Sequence, residues 1–197
     1  MATIVVPFRG YDPKQRLAVD DPARRALADA MLADVVAAAE AVGDVLVVAP
    51  AGTAVPPGAT LVPDPRRGQG AAVEAGLAAA SAAGLPAPYL VVNADLPCAD
   101  PRDLLALAGA VSGEGLALVA AADGTTNALA FADASLFAPV YGPGSAERFA
   151  ALGPSTVLDA PNLIDDVDTL DDLVRLKGRL GVHTRGVLAA LDLQSAA

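Results

Sequence analysis

The stretch YLVVNADLP, residues 89–97, decides how this chain is organised. Four largely apolar residues form a continuous run that stops at Asn93. A short apolar run of this kind predicts a strand that is buried on both faces. Because an open parallel sheet binds its ligands beyond the carboxyl ends of its strands, Asp95 is a candidate site residue. Strands also end in an aspartate turn without any function, so a purely structural interpretation of Asp95 stays open here.

The rest of the chain alternates between apolar strand-like runs and alanine-rich helical ones. Predicted strands span 3–7, 44–49, 60–62, 89–93, 116–121, 128–131 and 157–158, and predicted helices span 22–42, 70–83, 101–111 and 170–180. Asp-Pro pairs at 21–22 and 100–101 mark helix starts, because Asp caps a first turn and Pro fits its first position. This alternation predicts an α/β fold with a mostly parallel, mixed sheet that is flanked by helices on both faces.

Length and composition favour one domain. The chain has 197 residues, of which 54 % are hydrophobic and only 4 % aromatic, so Val, Leu, Ile and Ala must build the core. We find no internal repeat and no linker, and we expect a single domain over 1–197 with a loosely held tail over about 183–197. The only histidine, His183, lies in that tail and is expected at the surface.

Charge and cysteine content exclude several classes of protein. The net charge of −10 argues against nucleic-acid binding, which needs clustered Lys and Arg. The single cysteine, Cys98, excludes an internal disulfide and a multi-cysteine metal site, and we expect it to be a small buried residue. No signal peptide is evident, and the uncharged stretch 75–94 is interrupted by Gly and Pro, so we expect a cytoplasmic protein that does not span a membrane.

A second group of carboxylates lies at 165–169, Asp-Asp-Val-Asp-Thr, before the last predicted helix. Alternation around Val167 points Asp166 and Asp168 the same way, and Thr169 can cap the helix behind them. Convergent carboxylates at a sheet edge suit Mg²⁺, which takes a few oxygen ligands and keeps water molecules. An acidic cluster that serves the dipole of the helix is the alternative interpretation.

Two further segments are candidate anion sites. Lys14 and Arg16 follow the first strand, where cations beside a helix start can hold a phosphate. Segments 123–129 and 140–145 contain Thr126, Gly142 and Ser145, and their glycines let backbone N–H groups approach an oxyanion. An ordinary solvated helix start explains the first segment equally well. A tight turn with a Ser cap is the alternative for the second.

Five short motifs occur together in one order. They are Pro13-Lys-Gln-Arg-Leu17, Asp95-Leu-Pro97, Gly124-Thr-Thr-Asn-Ala-Leu129, Gly142-Pro-Gly-Ser145 and Asp166-Val-Asp-Thr169. With this order the chain resembles, over about residues 3 to 180, the phosphoenolpyruvate and 2-phospho-L-lactate guanylyltransferases of coenzyme F420 biosynthesis, in the MobA-like nucleotidyltransferase superfamily. The resemblance implies a nucleotide-diphospho-sugar-transferase-like, Rossmann-type fold. It also implies transfer of GMP from GTP to the phosphate of the small acid, with release of pyrophosphate.

The resemblance also implies roles for single residues. Asp95, Asp166 and Asp168 would hold Mg²⁺. Thr126, Gly142 and Ser145 would bind the phosphate and carboxylate of phosphoenolpyruvate or 2-phospho-L-lactate. Independently of the resemblance, we expect Ser145 to open a short helix over 146–152. Lys14 and Arg16 would face the triphosphate of GTP and, with Asp95, would form the catalytic set. A downstream transferase with a deazaflavin acceptor is the implied partner.

The chain differs from the family pattern at two places. Gly68-Gln69-Gly70 stands where the family usually has a Leu-Asn pair, near the base-binding region, so the motif leaves the choice of base open. Arg148-Phe149 stands where an Arg-His pair is common, which argues against a role for that position.

Two rival functions remain. A molybdenum-cofactor-type cytidylyltransferase or a sugar-phosphate nucleotidyltransferase would share the fold, although Pro7-Phe-Arg-Gly10 replaces their usual Leu-x-Gly-Gly loop. A non-catalytic α/β nucleotide-binding subunit would share the fold without the reaction. The sequence does not indicate an oligomeric state.

Overall fold

Seven segments form one sheet in the computed structural model, which describes residues 1–10, 17 and 19–191. The strands are β1 (Ala2–Pro7), β2 (Gly43–Ala49), β3 (Ala59–Pro63), β4 (Tyr89–Val92), β5 (Leu116–Ala120), β6 (Thr126–Phe131) and β7 (Ser155–Val157). Their order across the sheet is β3-β2-β1-β4-β6-β5-β7. Strand β6 runs antiparallel to β4 and β5, and the other pairs are parallel. The predicted mixed, mostly parallel sheet of a single α/β domain is confirmed.

Helices cover both faces of this sheet. They are α1 (Asp21–Glu40), α2 (Gln69–Ala82), α3 (Pro101–Gly109), α4 (Ser145–Ala150), α5 (Pro161–Ile164), α6 (Leu170–Leu176) and α7 (Val182–Ala190). Helix α3 begins as predicted, because Asp100 accepts a hydrogen bond from Arg102 N. Helix α1 is capped by Asp20, which accepts from Ala23 N, so the cap lies one residue before the predicted Asp21. Among the described helices, none is both long and apolar enough to cross a membrane.

The alternation of side chains along β1 shows how the two faces are divided. Ile4 and Val6 lie in one apolar cluster with residues of α1, α3 and α5, whereas Val5 lies in another with residues of α2 and α4. Successive side chains of a strand point to opposite faces, so a continuous apolar run fills two cores at once. Gly76 lets α2 pack closely, because a Cβ there would overlap Val5 Cγ1 and lie 2.9 Å from Val48 Cγ2.

The C-terminal segment differs from the expectation of a loosely held tail. Residues Val182–Ala190 form α7, in which Thr184 and Leu188 are buried. Asp34 of α1 accepts hydrogen bonds from His183 N and Thr184 N, both at 2.9 Å, and so caps α7. The His183 side chain is exposed, as expected. Residues 192–197 lie outside the described part of the chain.

The topology determines where a ligand can bind. From β1 the chain moves outward to β2 and β3, and it then returns to β4 on the other side of β1. The strand order therefore reverses between β1 and β4, which are parallel neighbours. At such a switch point the connections leave in opposite directions and open a crevice beyond the carboxyl ends of the strands.

Candidate active site

A cleft of about 190 Å³ lies at this switch point. It is lined by Pro7, Phe8, Arg9, Gly10, Ala28, Met31, Gln69, Asn93, Ala94 and Asp95. The lining combines the segment after β1, one face of α1, the start of α2 and the segment after β4. The position of Asp95 at this edge agrees with the inference from the apolar run that precedes it.

Three carboxylates from two distant segments meet beside the cleft. Asp95, Asp166 and Asp168 each offer an oxygen, and these oxygens lie within 4.8 Å of one another. Val167 explains the convergence: its side chain is fully buried and its N–H donates to Asp95 O at 3.0 Å. With Val167 turned into the core, the carboxylates of both of its neighbours reach Asp95. The structure thus brings together the three carboxylates that the sequence indicated.

The neighbouring acidic residues have other partners. Asp165 pairs with Arg175 and Arg179, each at 2.6 Å. Partial burial by itself would raise the pKa of Asp165, but hydrogen bonds and charge from the two arginines outweigh it and hold the pKa below its ordinary value. Helix α6 is capped by Thr169 and Asp172, which form a reciprocal capping box. The helix end is therefore capped without Asp166 or Asp168, which weakens the interpretation of these two as capping residues.

The donor set fits a hard divalent cation. All three groups are carboxylates, and Mg²⁺ and Ca²⁺ both prefer oxygen ligands at about 2.0–2.6 Å. One ion at such distances spans oxygens at most about 4–5 Å apart, which matches the observed cluster. All three residues are partly exposed, so water molecules or phosphate oxygens can reach the remaining coordination positions.

A second polar group lies at the same edge of the sheet. Thr126 begins β6, which runs antiparallel to β4 and therefore starts where β4 ends. The Thr126 and Ser145 hydroxyls are hydrogen-bonded at 3.0 Å and are almost completely buried. Ser145 opens α4 as expected, and its N–H donates to Gly142 O at 3.0 Å. Gly142 has a φ of 111°, which favours glycine.

Arg148 organises the loop that carries Gly142, a role that sequence reasoning missed. Its Nε, Nη2 and Nη1 donate to the carbonyls of Val140, Tyr141 and Pro143 at 3.1, 3.2 and 2.6 Å. A planar guanidinium is suited to several carbonyls at once. The available signal was an arginine one turn after a glycine-rich helix start, and it is weak. Arg148 therefore has a structural role in this loop, although Arg148-Phe149 departs from the family pattern.

The remaining predicted residues fall into two groups. Lys14 and Arg16 lie outside the described residues. Cys98 is buried, as expected, and burial raises the pKa of its thiol, which disfavours the nucleophilic thiolate. Gly70 permits close packing of α2, because a Cβ there would overlap Pro139 Cβ and lie 3.2 Å from Pro139 Cα. This packing gives a physical reason for glycine at position 70.

Known proteins share both the sequence pattern and the fold. The family model for the MobA-like NTP transferase domain matches residues 13–152. The 2-phospho-L-lactate guanylyltransferase of Halobacterium salinarum is 38 % identical over 178 residues, which cover 86 % of this chain and 81 % of the relative. The phosphoenolpyruvate guanylyltransferase of Streptomyces scabiei is 37 % identical over 210 residues, covering 97 % of this chain and 96 % of the relative. A nucleotide-diphospho-sugar transferase structure from Desulfovibrio desulfuricans G20 matches with a TM-score of 0.70 at 17 % identity. The match covers 98 % of this chain and 96 % of that one. At this identity the likeness supports the fold alone.

Proposed function

This chain belongs to the MobA-like NTP transferase family, and we propose that it is a guanylyltransferase that acts on a small phosphorylated acid. It transfers GMP from GTP to the phosphate of phosphoenolpyruvate, or of 2-phospho-L-lactate, in coenzyme F420 biosynthesis. Some relatives are named for 2-phospho-L-lactate and others for phosphoenolpyruvate, and both groups support the reaction class. The observation that carries the proposal is the convergence of Asp95, Asp166 and Asp168 beside a cleft at the switch point of the sheet.

The reaction needs positioning more than proton transfer. A phosphate oxygen of the acid attacks the α-phosphorus of GTP, the bond to the β-phosphate breaks, and pyrophosphate leaves with the bonding electrons. The second pKa of a phosphate monoester is about 6, so the attacking group is already a dianion at neutral pH. No general base is required, because the attacking oxygen carries no proton to be removed.

The proposal assigns each described group a part in holding two mutually repelling anions. Asp95, Asp166 and Asp168 would hold Mg²⁺, which when bound would neutralise charge on the phosphates. Thr126 and Ser145, with the backbone at Gly142, would bind the acid. Each of the two buried hydroxyls has one donor and two acceptor sites, so their mutual bond leaves hydrogen-bonding capacity for an anion.

The remaining assignments concern the nucleotide site, the downstream partner and the location of the enzyme in the cell. Lys14 and Arg16 would face the triphosphate and complete the catalytic set with Asp95. The product would pass to a downstream transferase with a deazaflavin acceptor. Because GTP and phosphoenolpyruvate are cytoplasmic metabolites, the proposal places the enzyme in the cytoplasm.

A pyrophosphate-release matrix tests the proposal. GTP, CTP, ATP and UTP are each combined with phosphoenolpyruvate, 2-phospholactate and 3-phosphoglycerate, with the downstream transferase and its deazaflavin acceptor added to trap an unstable product. We expect turnover with GTP and phosphoenolpyruvate. Asp95→Asn should remove most of this turnover, whereas Asp171→Asn, at an exposed carboxylate of α6, should not. Equal turnover of CTP, or activity only with a sugar phosphate or a pterin, would show that the proposed function is wrong.

A further inference from the structure

Three side-chain amides form a continuous hydrogen-bonded chain from the cleft to the metal-binding segment. Gln69 Nε2 donates to Asn93 Oδ1 at 2.9 Å, and Asn93 Nδ2 lies 3.4 Å from Asn127 Oδ1. Asn127 Nδ2 then donates to the carbonyls of Leu163 and Ile164 at 3.1 and 2.9 Å. We call Gln69, Asn93 and Asn127 the carboxamide chain.

The direction of every bond in the carboxamide chain follows from its buried end. Asn127 is 3 % exposed and faces two carbonyls, so its NH₂ group must point toward them. Its Oδ1 is therefore the acceptor for Asn93, whose Nδ2 also donates to Thr126 O at 3.3 Å. Because Asn93 Nδ2 is used in these bonds, Oδ1 of Asn93 is the atom that accepts the hydrogen bond from Gln69 Nε2. Rotating any one of these amides by 180° would oppose donor to donor or acceptor to acceptor.

The carboxamide chain connects the two segments that supply the carboxylates: the segment that carries Asp95 and the segment that carries Asp166 and Asp168. The carbonyls of Leu163 and Ile164 close the short helix α5, where helical partners are missing, and Asn127 satisfies them. Asp166 follows Ile164 by two residues, so this contact determines where the metal-binding segment begins. Asn93 precedes Asp95 by two residues and is bonded to the same amide.

We infer that Asn127 is a positioning residue for the divalent-cation site, and that Asn93 and Gln69 support its orientation. Asn127 does not belong to the three carboxylates; it acts on them through the backbone of residues 163 and 164. Removing its amide frees the end of α5 and separates Asp166 from Asp95. The inference rests on the proposed function only in taking the three carboxylates as a cation site.

The test measures Mn²⁺ binding to the protein without nucleotide or acid, by electron paramagnetic resonance of the free ion. Asn127→Leu keeps the size of the side chain and removes its donors, and it should weaken Mn²⁺ binding about ten-fold. Gln69 is two hydrogen bonds away from Asn127, so Gln69→Leu should weaken Mn²⁺ binding two- to three-fold. Asn162→Leu is the matched control: Asn162 lies in α5, whose last carbonyls Asn127 binds, but it donates to Asp103 Oδ2 at 2.8 Å, outside the carboxamide chain, and its loss should leave the affinity within two-fold.

The outcomes separate this inference from the proposed function. Wild-type affinity in folded Asn127→Leu, equal weakening in Asn162→Leu, or a wild-type protein that binds no Mn²⁺ would each overturn the inference. If Asn127→Leu does not fold, Asn93→Ser decides in its place, with about three-fold weakening expected and no change contradicting the inference. A protein that binds Mn²⁺ with the expected pattern but transfers no GMP would overturn the proposed function alone.

Discussion

The hydroxyl pair Thr126–Ser145 allows a stability effect to be separated from a binding effect. Both residues are almost completely buried and their hydroxyls lie 3.0 Å apart, so changing one leaves the other without this partner. A buried polar group left unsatisfied costs about 1–3 kcal/mol. We therefore expect Thr126→Val and Ser145→Ala each to lower the free energy of unfolding by about 1–2 kcal/mol. The double variant should lose less than the sum, because replacing both partners by apolar groups leaves no orphaned hydroxyl.

Binding of the acid should follow a different pattern across the same variants. A hydrogen bond to a charged group contributes about 1.5–3 kcal/mol, so each single change should raise the KM for phosphoenolpyruvate about ten-fold or more. The KM for GTP should stay within about two-fold. The double variant should be at least as weak toward the acid as either single one, since neither Thr126 nor Ser145 then offers a hydroxyl.

Urea unfolding gives the stabilities, and pyrophosphate release with each substrate varied in turn gives the two KM values. Ser155→Ala is the matched control, because its exposed hydroxyl donates to Ala150 O at the other end of α4. If the double variant recovered the KM for the acid together with stability, the pair would be structural only. Equal weakening toward acid and GTP would likewise refute the assignment of Thr126 and Ser145 to the acid.

Five further substitutions test other parts of the site and fold. Asp95→Asn and Asp168→Asn should each remove most activity. Each should leave Tm unchanged or raised, because clustered carboxylates repel one another without a cation. Circular dichroism melts give Tm, and assays at several Mg²⁺ concentrations give the activity. Arg148→Lys keeps the charge but loses the three-carbonyl contact, so the KM for the acid should rise several-fold while the KM for GTP stays unchanged. Gly76→Ala forces a methyl group against β1 and should cost about 1–3 kcal/mol in urea unfolding, whereas a cost near zero would contradict the close packing. The pKa of Asp165 is lower in the folded state than its ordinary value of about 3.9, so this carboxylate stabilises the fold at neutral pH and loses that effect as pH falls through its folded pKa. Between pH 7 and pH 3 the Tm of Asp165→Asn should therefore fall less than that of the wild type, and an equal fall would contradict the role of the two arginines.

Features that depend on a few consecutive residues could be predicted from the sequence. The apolar run before Asn93 predicted β4, and β4 ends at Val92. The alternation around Val167 predicted that Asp166 and Asp168 point the same way, and Val167 is indeed buried between them. The short helix opened by Ser145 was also predictable. In each case the information is local, because strand alternation and helix capping act over two to four residues.

Features that depend on a distant partner needed the tertiary structure. The segment after residue 182 has no strong helical signal of its own, and its first N–H groups are capped by Asp34, 149 and 150 residues earlier in the chain. The partners of Arg148 are carbonyls, which every residue carries and which leave no mark in the sequence. The Asn127 amide can hydrogen-bond to many kinds of group. Its partners are the carbonyls of residues 163 and 164 because α5 packs against the sheet beside it. Side-chain type and periodicity therefore determined the elements and the nature of the site. Burial determined the rest, because polar groups removed from water must find partners wherever the folded chain places them.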